Sequence, residues 1–407
     1  MAQQYEVVKG IDWRQVFPAS VLTRCFRVSI SVSVLVLATL GVCLTQAGWQ
    51  LSQVVFAPAA SVPSEAPLVD LTKSKSADDE TQNLWDALET GNGPAWVSKQ
   101  VCDYVHKEHL ANGSIQGKYA SAICIVDAFW LLLVWSFVGG AITRIAVVQI
   151  GREERIGLKE AFCFVRDKYV SYLMSPLFVV VACAVLSLPI LGISALMNFE
   201  IGVVLAGILW VFVVIAGMAI SVLLTGLFFG WPLMWPTLSA EESGDVYEAT
   251  SRSFAYTFQA PLQYLGFAVI LCAIWVPGVV LVQSFAVLVE QVVFTVAGVS
   301  GGSTMGHVQQ FIETGATSNE NTSSMVASGI NIIGGIHWIG HTVADAFCIS
   351  FFFCSSAGTY LLLRRFVDQI EIDEVFVADD KSKYGLEDLL QQSAEDAAAA
   401  ATDEGTN

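Results

Sequence analysis

The sequence predicts an all-α fold: a polytopic transmembrane helix bundle of about six spans, with a small exported loop region and a disordered acidic C-terminal tail. Three observations carry that expectation. The 407 residues are 54% hydrophobic and only 14% charged, with mean hydropathy +0.60, whereas soluble domains carry about a quarter charged residues. The charge is segregated into a few segments, as a bilayer requires, because each charge held at mid-membrane costs roughly 2.5–3.5 kcal/mol on insertion scales. Six apolar runs reach the ~20 residues of helix needed to cross a ~30 Å hydrocarbon core.

In chain order, residues 1–27 form a cytoplasmic interfacial segment. Trp13, Phe17, Val21 and Leu22 are interleaved there with Arg14, Arg24 and Arg27, the mixture that lies along a membrane surface. Residues 28–55 are the first span, read as an uncleaved signal anchor because no clean small-residue cleavage site follows it. Residues 56–118 are an exported loop or small helical cap: an Ala/Ser/Pro-rich start, then Leu84 to Leu110 with Trp85, Trp96 and Tyr104. Within it, Asn112-Gly113-Ser114 has the form of a glycosylation acceptor, a tripeptide frequent by chance.

Residues 119–365 form a five-span membrane domain, with runs at Ala120–Ile150, Leu173–Met197, Ile201–Trp231, Leu262–Val296 and Ile330–Leu363. Pro189 and Pro277 are expected kink points, since proline removes a helix donor and crowds the preceding turn. Glu153-Glu154 and Glu160-Ala161 recur 88 residues later as Glu241-Glu242 and Glu248-Ala249. This suggests a duplicated span–short helix–span unit, with coincidence as the alternative, and Ser239 to Glu242 reads as a capping box opening its second copy. Gly298 to Ser328, rich in Gly, Ser, Thr and Asn, reads as an exposed loop. Residues 366–407 are an acidic cytoplasmic tail with twelve acids against Lys381 and Lys383, its last part expected to be disordered.

Orientation follows from lysine and arginine. Fifteen fall in the N-terminal segment, the second and fourth connections and the tail, against five in the long first loop. Both termini are therefore expected in the cytoplasm, in a cell inner membrane. Net charge is −17, and no basic stripe suggests nucleic acid. The nine cysteines include no CxxC pair and no disulfide framework. Gly226 and Gly230 form a GxxxG, a pattern that seats another helix of the same chain or of a second copy.

The residues with chemical potential lie in the sixth run. His337, His341 and Asp345 recur at steps of four along one helical stripe, an arrangement in which two imidazoles and a carboxylate share a metal or, equally, a His/Asp chain relays protons. Counting about 20 residues outward from Arg364 reaches Ala344, so the histidines fall near the exported face. Asp127 and Glu290 come out at a similar depth, giving a polar layer of five. The competing reading is that these groups meet headgroups and water or bond between helices. HExxH and Walker motifs, and any GxSxG or GxGxxG in a strand-to-helix setting, are absent from the sequence, and nothing in it calls for a cofactor.

Several stretches carry a resemblance: Ile11-Asp12-Trp13-Arg14-Gln15-Val16-Phe17-Pro18, Arg144-Ile145-Ala146, Gly151-Arg152-Glu153-Glu154-Arg155 and Tyr360 through Asp368. Together they resemble a group of uncharacterised bacterial polytopic inner-membrane proteins, with a layout loosely Yip1-like. The resemblance implies membrane architecture and no activity. The expectation is thus a non-enzymatic membrane-organising or complex-accessory protein, its partners the lipid bilayer and a cytoplasmic protein met through the tail. A transporter or channel is the first alternative, and a metal-dependent membrane enzyme using His337 and His341 the second.

Overall fold

The computed structural model describes residues 18–56, 120–242, 244–314 and 324–377, and among them every regular element is helical. A 3-10 turn, Pro18–Val21, leads into α1 (Leu22–Ser29) and α2 (Val32–Phe56). There follow α3 (Ala120–Gly151), α4 (Leu158–Asp167), α5 (Tyr169–Leu196), α6 (Glu200–Ala240), α7 (Val246–Gln259), α8 (Pro261–Thr314) and α9 (Ser324–Val367). Six of these, α2, α3, α5, α6, α8 and α9, are long and apolar enough to cross a membrane. Helical assignment continues through Pro189 and Pro277. The start of the interfacial segment, the exported loop with its Leu84–Leu110 cap and Asn112, and the tail beyond Val377 lie outside the described residues.

Two sequence expectations are revised. The stretch read as a loop from Gly298 is helical to Thr314. Met305, Val308 and Ile312 recur there at helical spacing, and Val308 is buried; a side-chain stripe of period 3.6 outweighs the glycines around it. The capping box is not formed either. Ser239 still belongs to the last turn of α6, where its hydroxyl meets Thr143 and Tyr172, and α7 opens later, at Val246.

The chain divides into two compact units. Of the described residues, the first contains 18–34, 139–242, 244–277 and 350–377; the second contains 35–56, 120–138, 278–314 and 324–349.

In the first unit three short amphipathic helices are joined to three span ends in a ring. Each short helix sits on one span where a glycine lets it approach, and ties the end of the next. Helix α1 sits on α9, with Cys25 and Leu22 against Gly358, and its Arg24 Nη1 donates to Ile150 O at the end of α3 (3.1 Å). Helix α4 sits on α3, with Val165 against Gly140, and Lys168 just beyond it donates to Glu241 O at the end of α6 (2.6 Å). Helix α7 sits on α6, with Phe254 against Gly226 and Thr257 against Gly230, and its Tyr256 hydroxyl donates to Asp368 after α9. The GxxxG of α6 is therefore filled from within the chain. Small or apolar residues make this fit: Cys25, Ala161, Val165, Ala249 and Ser253 are each fully enclosed. The charged ties satisfy carbonyls that a helix end leaves without intrahelical donors.

Beneath the ring, Trp235 stacks on Phe353 with centroids 5.5 Å apart, and its indole N–H donates to Tyr172 O at 3.0 Å. By contrast, the outer stretches of α5, α6 and α8 leave most of their apolar side chains exposed.

In the second unit, α2 meets α3 where Trp130 lies against Gly48 and its indole N–H donates to Leu44 O (3.0 Å). Trp135 and Val138 cover Gly41 on the same face. Segments of α8 and α9 in this unit carry the polar cluster described next.

Candidate functional site

Two arrangements have chemical content, one in each unit. In the second unit, Glu290 of α8 lies between His337 and His341 of α9. Glu290 Oε2 is 3.2 Å from His341 Nε2, and Oε1 is 4.0 Å from His337 Nδ1. One ligand atom from each of the three falls within 4.8 Å of those of the other two. The geometry follows from helix periodicity: residues four apart lie one above the other on a face, so both imidazoles point at the same neighbouring helix. Phe294, one turn beyond Glu290 on α8, stacks on the His337 ring at 4.9 Å between centroids and fixes its plane. All three side chains are partly open, with Glu290 25%, His337 17% and His341 40% exposed. The group thus keeps a free side to which a further ligand has access.

The other two members of the expected polar layer are placed differently. Asp345 accepts from Gln283 Nε2 at 3.0 Å, making a second polar rung between the same two helices. Asp127 is buried in α3 and does not belong to the converging group. Of the five residues singled out from the sequence, then, Glu290, His337 and His341 come together. Gln283 was missed; its only sequence signal is its position seven residues before Glu290, which puts it on the same face of α8.

In the first unit the polar residues form an anchor around the ends of α3, α6 and α9. Arg144, 2% exposed, donates to Ser239 O at 2.6 Å and lies 4.0 Å above the Phe164 ring. Ser239 also contacts Thr143 Oγ1 (3.0 Å) and Tyr172 OH (2.7 Å), so this buried layer is satisfied internally. Above it, Glu241 Oε1 accepts from Arg252 at 2.9 Å and lies 3.5 Å from Arg364 Nε and 3.4 Å from Tyr360 OH. Burial by itself would lower the pKa of Arg252, but Glu241, Tyr360 and Glu248 beside it raise it overall. Lys168 is moved the other way, to about 8, by burial first and Arg144 second, against the opposing pull of Glu241, Glu242 and Glu248.

The start of the predicted tail belongs to this anchor. After Gln369, whose φ is +59°, the chain folds back and Phe376 N donates to Ala240 O at 3.0 Å. Arg364 donates to Glu374 O (2.8 Å) and Arg152 to Val375 O (3.3 Å), while Val375 and Val377 are buried. Gly151 lets Ile372 O approach the end of α3 where any side chain would collide.

No protein-family profile matches this sequence, and neither a curated protein nor a solved structure matches it.

Proposed function

We propose that this chain is a non-enzymatic membrane platform: an organising or accessory subunit of a cell inner membrane, with both termini in the cytoplasm, that offers its acidic C-terminal segment to a cytoplasmic protein. The observation that supports this reading is the anchoring of residues 369–377 against the ends of α3 and α6. A linker that only trails from a last span has no need of three hydrogen bonds to its backbone groups, two of them from arginine side chains, and two buried valines at its base. Fixing the exit point confines the remaining segment to one area of the membrane surface, which raises its effective concentration for anything assembled there. That segment carries Asp379, Asp380, Glu387, Asp388, Glu395, Asp396, Asp403 and Glu404. Its charge suits a basic partner surface, and Leu386, Leu389 and Leu390 supply an apolar contact at helical spacing.

The test is co-purification in a mild detergent, comparing the full chain with one ending at Val377. Ending there leaves the anchored turn intact. A stoichiometric protein retained by the full chain and lost from the shorter one is the expected result. Recovery of both forms free of any partner overturns the proposal.

A further inference from the structure

We infer that Glu290, His337 and His341 bind a divalent transition-metal ion of the zinc class. The argument is independent of the platform reading. Two imidazoles and a carboxylate are ligands that zinc accepts, and three protein ligands with an open fourth position describe a reactive or exchangeable site rather than a closed structural one. Imidazole nitrogen also selects against magnesium and calcium, which prefer all-oxygen surroundings.

Distances agree with the chemistry. Ligand bonds of about 2.0–2.2 Å in a tetrahedron place donor atoms about 3.3 Å apart. The contacts to Glu290 are 3.2 and 4.0 Å, and the full spread is 4.8 Å or less. Small side-chain rotations therefore close the site without moving α8 or α9. The two carboxylate oxygens face one imidazole each, and one ligand atom from each of the three residues lies within 4.8 Å of those of the other two. A simple ion pair would need only one of the histidines. His337 is further restrained by its stack on Phe294, an outer contact that limits the cost of ordering the ligand. By sequence count the group lies beyond the ~20 residues that extend outward from Arg364, so an aqueous ion reaches it without crossing the hydrocarbon core.

The site is tested on tag-free protein in lipid nanodiscs, with zinc content measured after desalting and affinity measured by competition with a chelating dye. The wild-type chain is expected to retain one zinc per chain. His337→Ala, His341→Ala and Glu290→Gln are each expected to weaken binding by at least about 100-fold, more than the loss of an outer-sphere contact causes. Asp345→Asn, which alters the neighbouring rung only, is expected to bind as the wild type does. A second readout needs no variant. Cobalt added to the wild-type chain is expected to give the visible absorption of a low-coordinate nitrogen/oxygen site, and zinc to bleach it. Absence of stoichiometric metal in the wild type, a cobalt spectrum of the hexaaquo ion, or wild-type affinity in all three ligand variants overturns the inference.

Discussion

At the scale of single residues, the first unit depends on contacts too close for any larger side chain. A Cβ on Gly358 would stand 2.5 Å from Cys25 Sγ, which is itself fully buried. Burial pushes the Cys25 thiol up to about 12, so it acts as a small apolar filler rather than a nucleophile. Gly358→Ala is therefore expected to destabilise the chain by about 1–3 kcal/mol through overpacking. Cys25→Ala removes the colliding sulfur, and the double variant should lose less stability than the two single losses combined. Thermal unfolding of the four proteins in one detergent checks this; strictly additive losses would refute the contact. Glu241 shows the other kind of dependence. It serves Arg252, Arg364 and Tyr360 together, and removing one shared partner strands several groups at once.

At the scale of elements, the ring works because each short helix, or the residue just after it, carries a polar tie to the end of the next span. Lys168 is the tie that responds to pH. Its pKa falls from 10.5 to about 8 in the folded chain. Below pH 8 folded and unfolded chains both hold the proton, so the full penalty of burying the charge is present. Between about pH 8 and 10.5 the unfolded chain binds more protons than the folded one, and stability rises with pH. The unfolding midpoint of the wild type is thus expected to gain more between pH 8 and 9.5 than that of Lys168→Met, a window that stops short of tyrosine ionisation. Parallel curves for the two proteins would show that Lys168 is not the cause. The direction is the reverse of that for a lysine stabilised by an ion pair, because burial and Arg144 outweigh the three nearby glutamates.

At the scale of the molecule, the spans have two characters. The most apolar windows of α3 and α9 are 78% and 83% buried, against 6%, 6% and 11% for α5, α6 and α8. Lipid is as apolar as leucine, so the exposed helices are stable without protein neighbours, while polar and close-packed surfaces gather on the others. The proposed orientation is decided by reporter fusions. One after residue 90 is expected to read as exported, and one after Val377 as cytoplasmic with the anchored turn preserved. The opposite pattern would reverse the orientation and remove the cytoplasmic partner from consideration.

The sequence by itself determined the all-helical membrane class and the six helices long and apolar enough to cross a bilayer. Hydropathy over 20 residues is a local property that the bilayer enforces without help from distant contacts. It also placed His337 and His341 on one stripe, since i and i+4 is a local relation. Its loop reading beyond Gly298 failed because glycine and threonine content masked the weaker period of Met305, Val308 and Ile312. It pointed to two short helices between spans but not to α1 as a third of the same kind. That likeness lies in what Cys25 touches, 333 residues away at Gly358, and not in any shared spacing. Tertiary structure alone decided that Glu290 meets the two histidines while Asp345 turns to Gln283, and that the tail is anchored as far as Val377. Each of these depends on which faces of distant helices meet, and the physical reason is the same throughout. Burial in lipid is read from composition, whereas packing and coordination require two parts of the chain to agree on a distance.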